Sequence, residues 1–168
     1  MTHCTDQILP ADASVPTPPG TPHPRALLFT IDVEASSLSS TVPHVSNITY
    51  VAWIDRVAEL AGEHVGHTRK RLFELNRMWF VARHEIDYLA EAFAGERIVA
   101  ATWIHDARRS SVRRDTLLWR AADEVEVARA RSTWSYIDLE RRRPCRMPEE
   151  VTSLLDPLMP PRQLGPAR

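Results

Sequence analysis

Proline lacks a backbone N–H and fixes φ, so the interior of a helix or sheet tolerates very few of them. Of the 13 prolines in this 168-residue chain, six precede Arg25, six fall from Pro144 onward, and Pro43 alone stands between. The folded domain is therefore expected over residues 26–155, with residues 1–25 as a Pro-rich flexible N-terminal tail and residues 156–168 as a flexible C-terminal one. The stretch PADASVPTPPGTPHP from Pro10 to Pro24 reads as extended chain without a hydrogen-bond ladder. With 43% hydrophobic and 26% charged residues, the remainder can bury one core and is too short for two full-sized domains.

Within that domain the hydrophobic period changes once. Ala26–Glu34 (ALLFTIDVE) alternates like a strand, and a polar loop follows from Ala35 to Pro43. Tyr50, Ile54, Val57, Ala58, Ala61 and Val65 then recur at helical spacing, with Ser46 or Asn47 as N-cap and Gly62 and Gly66 near the end. Four strand-like segments complete the domain: Met78–Leu89, Arg97–Asp106, Val112–Ala121 and Val125–Leu139, joined by short links. In the last, Ala128, Ala130, Ser132, Trp134 and Tyr136 share one face, small residues giving way to aromatic ones, which suits close packing on a helix. A strand, one long helix and an antiparallel meander imply an α+β hot-dog fold, a sheet wrapped around a central helix.

Several function classes are disfavoured. A net charge of −1 lacks the basic footprint that a phosphate backbone requires, so no nucleic-acid partner is expected. No apolar run is long enough to span a bilayer and Met1–Pro10 has no leader-like pattern, so membrane insertion is not expected and a cytoplasmic location is. Cys4 and Cys145 have no partner at disulfide-framework or metal-ligand spacing, and His64 and His67 lack further ligands; no metal site is expected.

The segment His44-Val-Ser-Asn-Ile-Thr-Tyr-Val-Ala-Trp-Ile-Asp-Arg56 resembles the HVNNxxYxxWxEE segment of 4-hydroxybenzoyl-CoA thioesterase-like hot-dog proteins. Trp79–Leu89 (WFVARHEIDYL) is similar to their VVRxxEIDYLRP region, and Ala128–Trp134, Asp138 and Arg143–Glu150 resemble their ARARTVWVxxD…RPxRxPEE ending. The three fragments occur in order over about residues 26–152. The resemblance implies hydrolysis of an acyl thioester, carried by coenzyme A or an acyl-carrier protein, in a homodimer or homotetramer with the acyl chain at the subunit interface. It implies no cofactor beyond the coenzyme A of the substrate itself.

The resemblance also implies site residues. The oxyanion donor falls on the backbone N–H of Asn47, at the start of the expected helix, where the dipole favours negative charge; Asn47 as a simple cap is the alternative. The loop acid that many relatives carry four residues before the histidine is Ser40 here, the other member of their acidic pair is Leu38, and the usual glycine before the histidine is Pro43. An unassisted serine is a poor nucleophile. In another branch a helix carboxylate lies eight residues after the donor, which falls on Asp55, with Glu59 one turn later. The expectation is that Asp55 is base or nucleophile, His44 orients water or substrate, and Glu59 shares a water with Asp55 or shifts its pKa; a solvated helix face or polar dimer contacts are the alternative.

Tyr50, Trp53 and Trp79 are the aromatic candidates for acyl contact, against the simpler reading that they fill the core. Arg108 and Arg109, with Arg113–Arg114 and Arg141–Arg143, either grip the phosphates of coenzyme A or are solvated loop ends. His84, Glu85 and Asp87 read as sheet-surface or interface polar groups. A hot-dog dehydratase is disfavoured because the DxNxxHxN pattern is missing; a non-catalytic hot-dog protein that binds acyl thioesters or a partner is the competing reading, favoured by Ser40.

Overall fold

The computed structural model describes residues 6–159; Cys4 and the end of the C-terminal tail lie outside them. Its elements run β1 (Gln7–Pro10), β2 (Leu27–Asp32), a single 3-10 turn (Ala35–Ser37), α1 (Asn47–His64), α2 (Arg69–Glu74), β3 (Arg77–Tyr88), β4 (Arg97–Ala107), β5 (Ser111–Arg120), β6 (Val125–Asp138), β7 (Arg143–Pro144) and α3 (Glu149–Thr152). All strand pairs are antiparallel, in the order β1-β2-β4-β5-β6-β3, with β7 also on β6. This seven-stranded sheet with a helix against it is the hot-dog arrangement expected from the sequence.

The alternation of side chains decides which residues meet α1. On β5, Val112 and Leu118 belong to the interior clusters, and Arg114 and Thr116 lie in phase between them. Leu117 and Trp119 point the other way, joining Val99, Ala101 and Trp103 in an outer cluster. On β6, Ala128, Ala130, Ser132 and Tyr136 are buried on the helix-facing side, the face picked out by sequence. Three register shifts leave Ala82 on β3, His105 on β4 and Val127 on β6 as extra residues, and such bulges bend strands and increase their twist.

Helix α1 packs Tyr50, Trp53, Ile54, Val57 and Ala61 into the core, one stripe at 3.6 periodicity. Its N-cap is Ser46, whose Oγ accepts the Thr49 N–H at 3.2 Å, so Asn47 occupies the first helical position instead.

Within the expected N-terminal tail, the described residues from Asp6 to Val15 are built into the domain. β1 pairs with β2 from Gln7↔Asp32 to Pro10↔Phe29, and Ala11 N–H donates to the Leu28 carbonyl. Pro10 is tolerated because β1 is an edge strand. Val15 and Leu158, from the two supposed tails, cover the outer cluster, and the Asp156 side chain pairs with Arg25. Proline density marks irregular chain, which is compatible with packing onto a sheet face.

Candidate functional site

Between α1 and the β3–β6 half of the sheet lies a cavity of about 600 Å³, lined mainly by apolar side chains that include Leu72, Met78, Trp79, Ile104, Val112 and Trp134. Its size falls within the usual range for small-molecule sites. Polar groups enter the lining from α1 through Asp55 and Glu59, and from the surrounding elements through His67, Arg69 and Arg114. A second cavity of about 230 Å³ adjoins the C-terminal end of α1 and shares Val65, Ile104, Arg114 and Leu155 with the first.

Asp55 and Glu59 line the same cavity in different electrostatic states. Glu59 is held by Arg56 at 2.7 Å and Arg69 at 2.5 Å, so its charge is spoken for. Among the described residues the Asp55 carboxylate makes no hydrogen bond or ion pair, although its charge acts on His84. His84 faces inward, across from Ser132, and its Nδ1 lies 2.7 Å from Ser132 Oγ. Burial pushes the His84 imidazole below its ordinary value of 6.5, partly offset by Asp55. His67 is lowered too, first by burial and then by Arg71, so both rings favour the neutral form near neutrality.

Asn47 is exposed at the first turn of α1, where a helix has no acceptor of its own for the backbone N–H. The Tyr88 hydroxyl reaches its carbonyl at 3.5 Å, which fixes this helix end beside β3. His44 lies just before the cap, and its Nδ1 is 2.8 Å from Glu91 Oε1, so the structure joins it to Glu91 and not to Asp55. Ser40 is exposed near the tip of a tight reversal in which Leu38 bridges Val45 and the Ser39 N–H donates to the His44 carbonyl.

The aromatic candidates separate. Trp53 is fully buried, and its Nε1 donates to Asp6 Oδ2 at 2.6 Å, so it belongs to the core. Tyr50 is also core: its hydroxyl donates to the Ala90 carbonyl at 3.3 Å and burial pushes its phenol up to about 12. Trp79 lines the large cavity, tilted against Tyr136 with ring centroids 5.0 Å apart. Arg108 and Arg109 are exposed at the β4–β5 turn and are not among the lining side chains. Arg113 is bonded to Asp106, whereas Arg114 turns into the cavity.

Asp6 escaped the sequence reading, His84 faces inward and not onto the sheet surface, and Arg114, expected as a phosphate grip or a solvated loop end, lines the cavity from within β5. For Arg114 a signal existed, because Val112-Arg113-Arg114-Asp115-Thr116-Leu117-Leu118 places it in phase with Val112 and Thr116. For His84 the extra residue at Ala82 shifts the alternation, and for Asp6 the neighbouring prolines conceal a strand.

A family profile described as the thioesterase-like superfamily matches residues 41–155. Among solved structures, a 1,4-dihydroxy-2-naphthoyl-CoA thioesterase from Synechocystis superposes with a TM-score of 0.71 at 15% identity, covering 77% of this chain and 95% of that one. A Staphylococcus aureus protein solved in complex with CoA gives 0.70 at 18% identity, covering 86% of this chain and 94% of that one. A chloroplastic palmitoyl-acyl carrier protein thioesterase from Arabidopsis thaliana is 28% identical over 102 residues, 61% of this chain. The chain spans only 24% of the length of that relative.

Proposed function

Because the chain belongs to the thioesterase-like superfamily, we propose that it hydrolyses acyl thioesters of coenzyme A or an acyl-carrier protein to the free acid and thiol. The observation that carries this reading is the unencumbered Asp55 carboxylate in an apolar cavity, on a helix whose capped N-terminus leaves the Asn47 N–H available. The thioester carbonyl accepts from the Asn47 N–H, and its oxygen gains charge as water attacks the carbonyl carbon. Asp55 takes the water proton, the C–S bond breaks, and the proton passes to the departing thiolate. These steps use the chain's own groups, and coenzyme A enters only as part of the substrate. A cytoplasmic setting belongs to the same proposal.

The helix itself argues for a shared site. Eight residues separate Asn47 from Asp55, about 12 Å along the axis at the helical rise. Contact from donor to oxygen, and from carbon through the attacking water to its base, spans about 8–9 Å, short of that separation, so the reading assigns the two groups to different protomers. Among the described residues β3 is an edge strand, and it carries exposed Phe80, Val81 and Tyr88. Pairing of β3 with its two-fold copy near His84 brings Tyr88, and with it Asn47, beside the partner's Phe80, and with it Asp55 of the partner subunit. A homodimer is therefore part of the proposal.

The test is free-thiol release from short, long and aromatic acyl-CoAs. Asn47→Pro removes the donor N–H at a position where proline suits a helix, and Ser46 already has the extended φ −70°, ψ 149° that a following proline requires. We expect folded protein and kcat reduced about 100-fold or more. Asp55→Asn is expected to lose turnover while retaining its melting temperature. Unchanged kcat in both contradicts the mechanism; binding without release from any substrate instead supports the non-catalytic reading, which the exposed Ser40 at the usual acid position favours.

A further inference from the structure

Arg114 differs from most arginines of the sheet. Arg97, Arg113, Arg120, Arg129 and Arg131 each hydrogen-bond a carboxylate. Arg114 turns inward, with Ile104 opposite it on β4 and Ser132 opposite it on β6, and contributes to both cavities. Among the described residues its one hydrogen bond runs from Nη1 to Thr102 Oγ1 at 3.1 Å. That hydroxyl already donates to the Asp115 carbonyl at 2.9 Å and lies 3.0 Å from Thr116 Oγ1. A guanidinium offers five N–H donors in a planar fork, and among the described residues no carboxylate pairs with this one.

The electrostatics agree with the geometry. Burial pushes the Arg114 guanidinium down to about 10, and no neighbouring charge contributes to the shift. It still carries its charge at neutral pH, in a wall otherwise formed by Ile104, Val112 and Trp134. A partly desolvated cation on an apolar cavity wall is costly alone and favourable beside an anionic oxygen ligand.

We propose that Arg114 is a specificity residue that binds a carboxylate on the acyl group, so that thioesters of ω-carboxy acyl chains are preferred over plain alkyl ones. This rests on the thioesterase reading for the identity of the substrate, while the recognition itself is independent of turnover. Of the two carboxylates in the lining, Glu59 is balanced by Arg56 and Arg69, and Asp55, unpaired among the described residues, has no resolved effect on the Arg114 guanidinium.

The test uses non-hydrolysable thioethers: a length-matched series of S-alkyl-CoA and S-(ω-carboxyalkyl)-CoA, with coenzyme A alone as the reference for its phosphates. Binding is measured by calorimetry to the full chain and to Arg114→Met and Arg114→Lys, beside hydrolysis of the corresponding thioesters. At one or more lengths the carboxylated ligand should bind about tenfold or more tightly, as a charge-assisted bidentate contact predicts. Arg114→Met should abolish that preference without weakening coenzyme A itself, and Arg114→Lys should keep part of it.

Removing a half-buried charge that no carboxylate balances among the described residues should also leave the melting temperature of Arg114→Met unchanged or higher, which an internal structural role would not allow. No preference at any length, no binding of any carboxylated ligand, or a preference that survives Arg114→Met overturns the inference. Hydrolysis without a carboxylate preference leaves the thioesterase reading standing and removes only this one. A carboxylate preference without hydrolysis does the reverse.

Discussion

His67 and His84 illustrate how single residues couple the site to the medium. Both imidazoles are depressed below 6.5 chiefly by burial. As pH falls through 6.5 the unfolded chain takes up protons first, so stability that is complete above that value is lost toward the lower folded-state pKa values. A chemical-denaturation series between pH 8 and 5 should therefore show decreasing stability on the acid side. His67→Gln and His84→Gln should each flatten it; an unchanged slope in both contradicts the assignment of these rings to the buried neutral form. The sequence showed His84 and Arg114 as polar letters in strands, but their environment depends on which sheet face is enclosed. That depends on the phase of neighbours such as Val112 and on the bulge at Ala82. Asn47 and Asp55 were named because the resemblance implies a donor and a helix carboxylate at those positions, and the structure puts both on α1.

At the scale of elements, β1 acts as a strap over the start of the domain. The Asp6 carboxylate just before it accepts the Trp53 indole N–H at 2.6 Å, the Glu34 N–H at 2.6 Å and the Ser37 hydroxyl. It therefore ties β1, the 3-10 turn and α1 together. Asp6→Ala leaves the indole of a fully buried tryptophan without its acceptor and should cost about 1–3 kcal/mol in urea denaturation. A variant as stable as wild type contradicts this role. Composition concealed β1, since a four-residue edge strand ending in proline lies within a Pro-rich run. The long elements were legible: β3 to β6 begin and end within two residues of the strands read from alternation, and α1 within the expected span. α2 was missed because its six residues, RKRLFE, offer too short an apolar stripe to show a period.

At the scale of the molecule, the seven-stranded sheet ends at β3, an edge that no other strand among the described residues pairs, beside the two ends of the proposed site. Exposed edges of this kind invite pairing with another strand. Fold and family were readable from the order of elements and motifs, and the profile match over residues 41–155 agrees. The resemblance implied a dimer with the acyl chain at the subunit interface; the proposal that one active site takes Asn47 and Asp55 from different chains rests in addition on helix length set against the reach of a carbonyl and its water. The most direct measurement is complementation between two inactive variants. Asn47→Pro and Asp55→Asn proteins, co-expressed so that mixed dimers form, carry one intact site per mixed dimer. Since about half of randomly assembled dimers are mixed, thiol release should return to roughly a quarter of the wild-type rate. Mixed dimers as inactive as either parent, when each parent is folded and dimeric, would contradict a site shared between Asn47 of one protomer and Asp55 of the partner subunit.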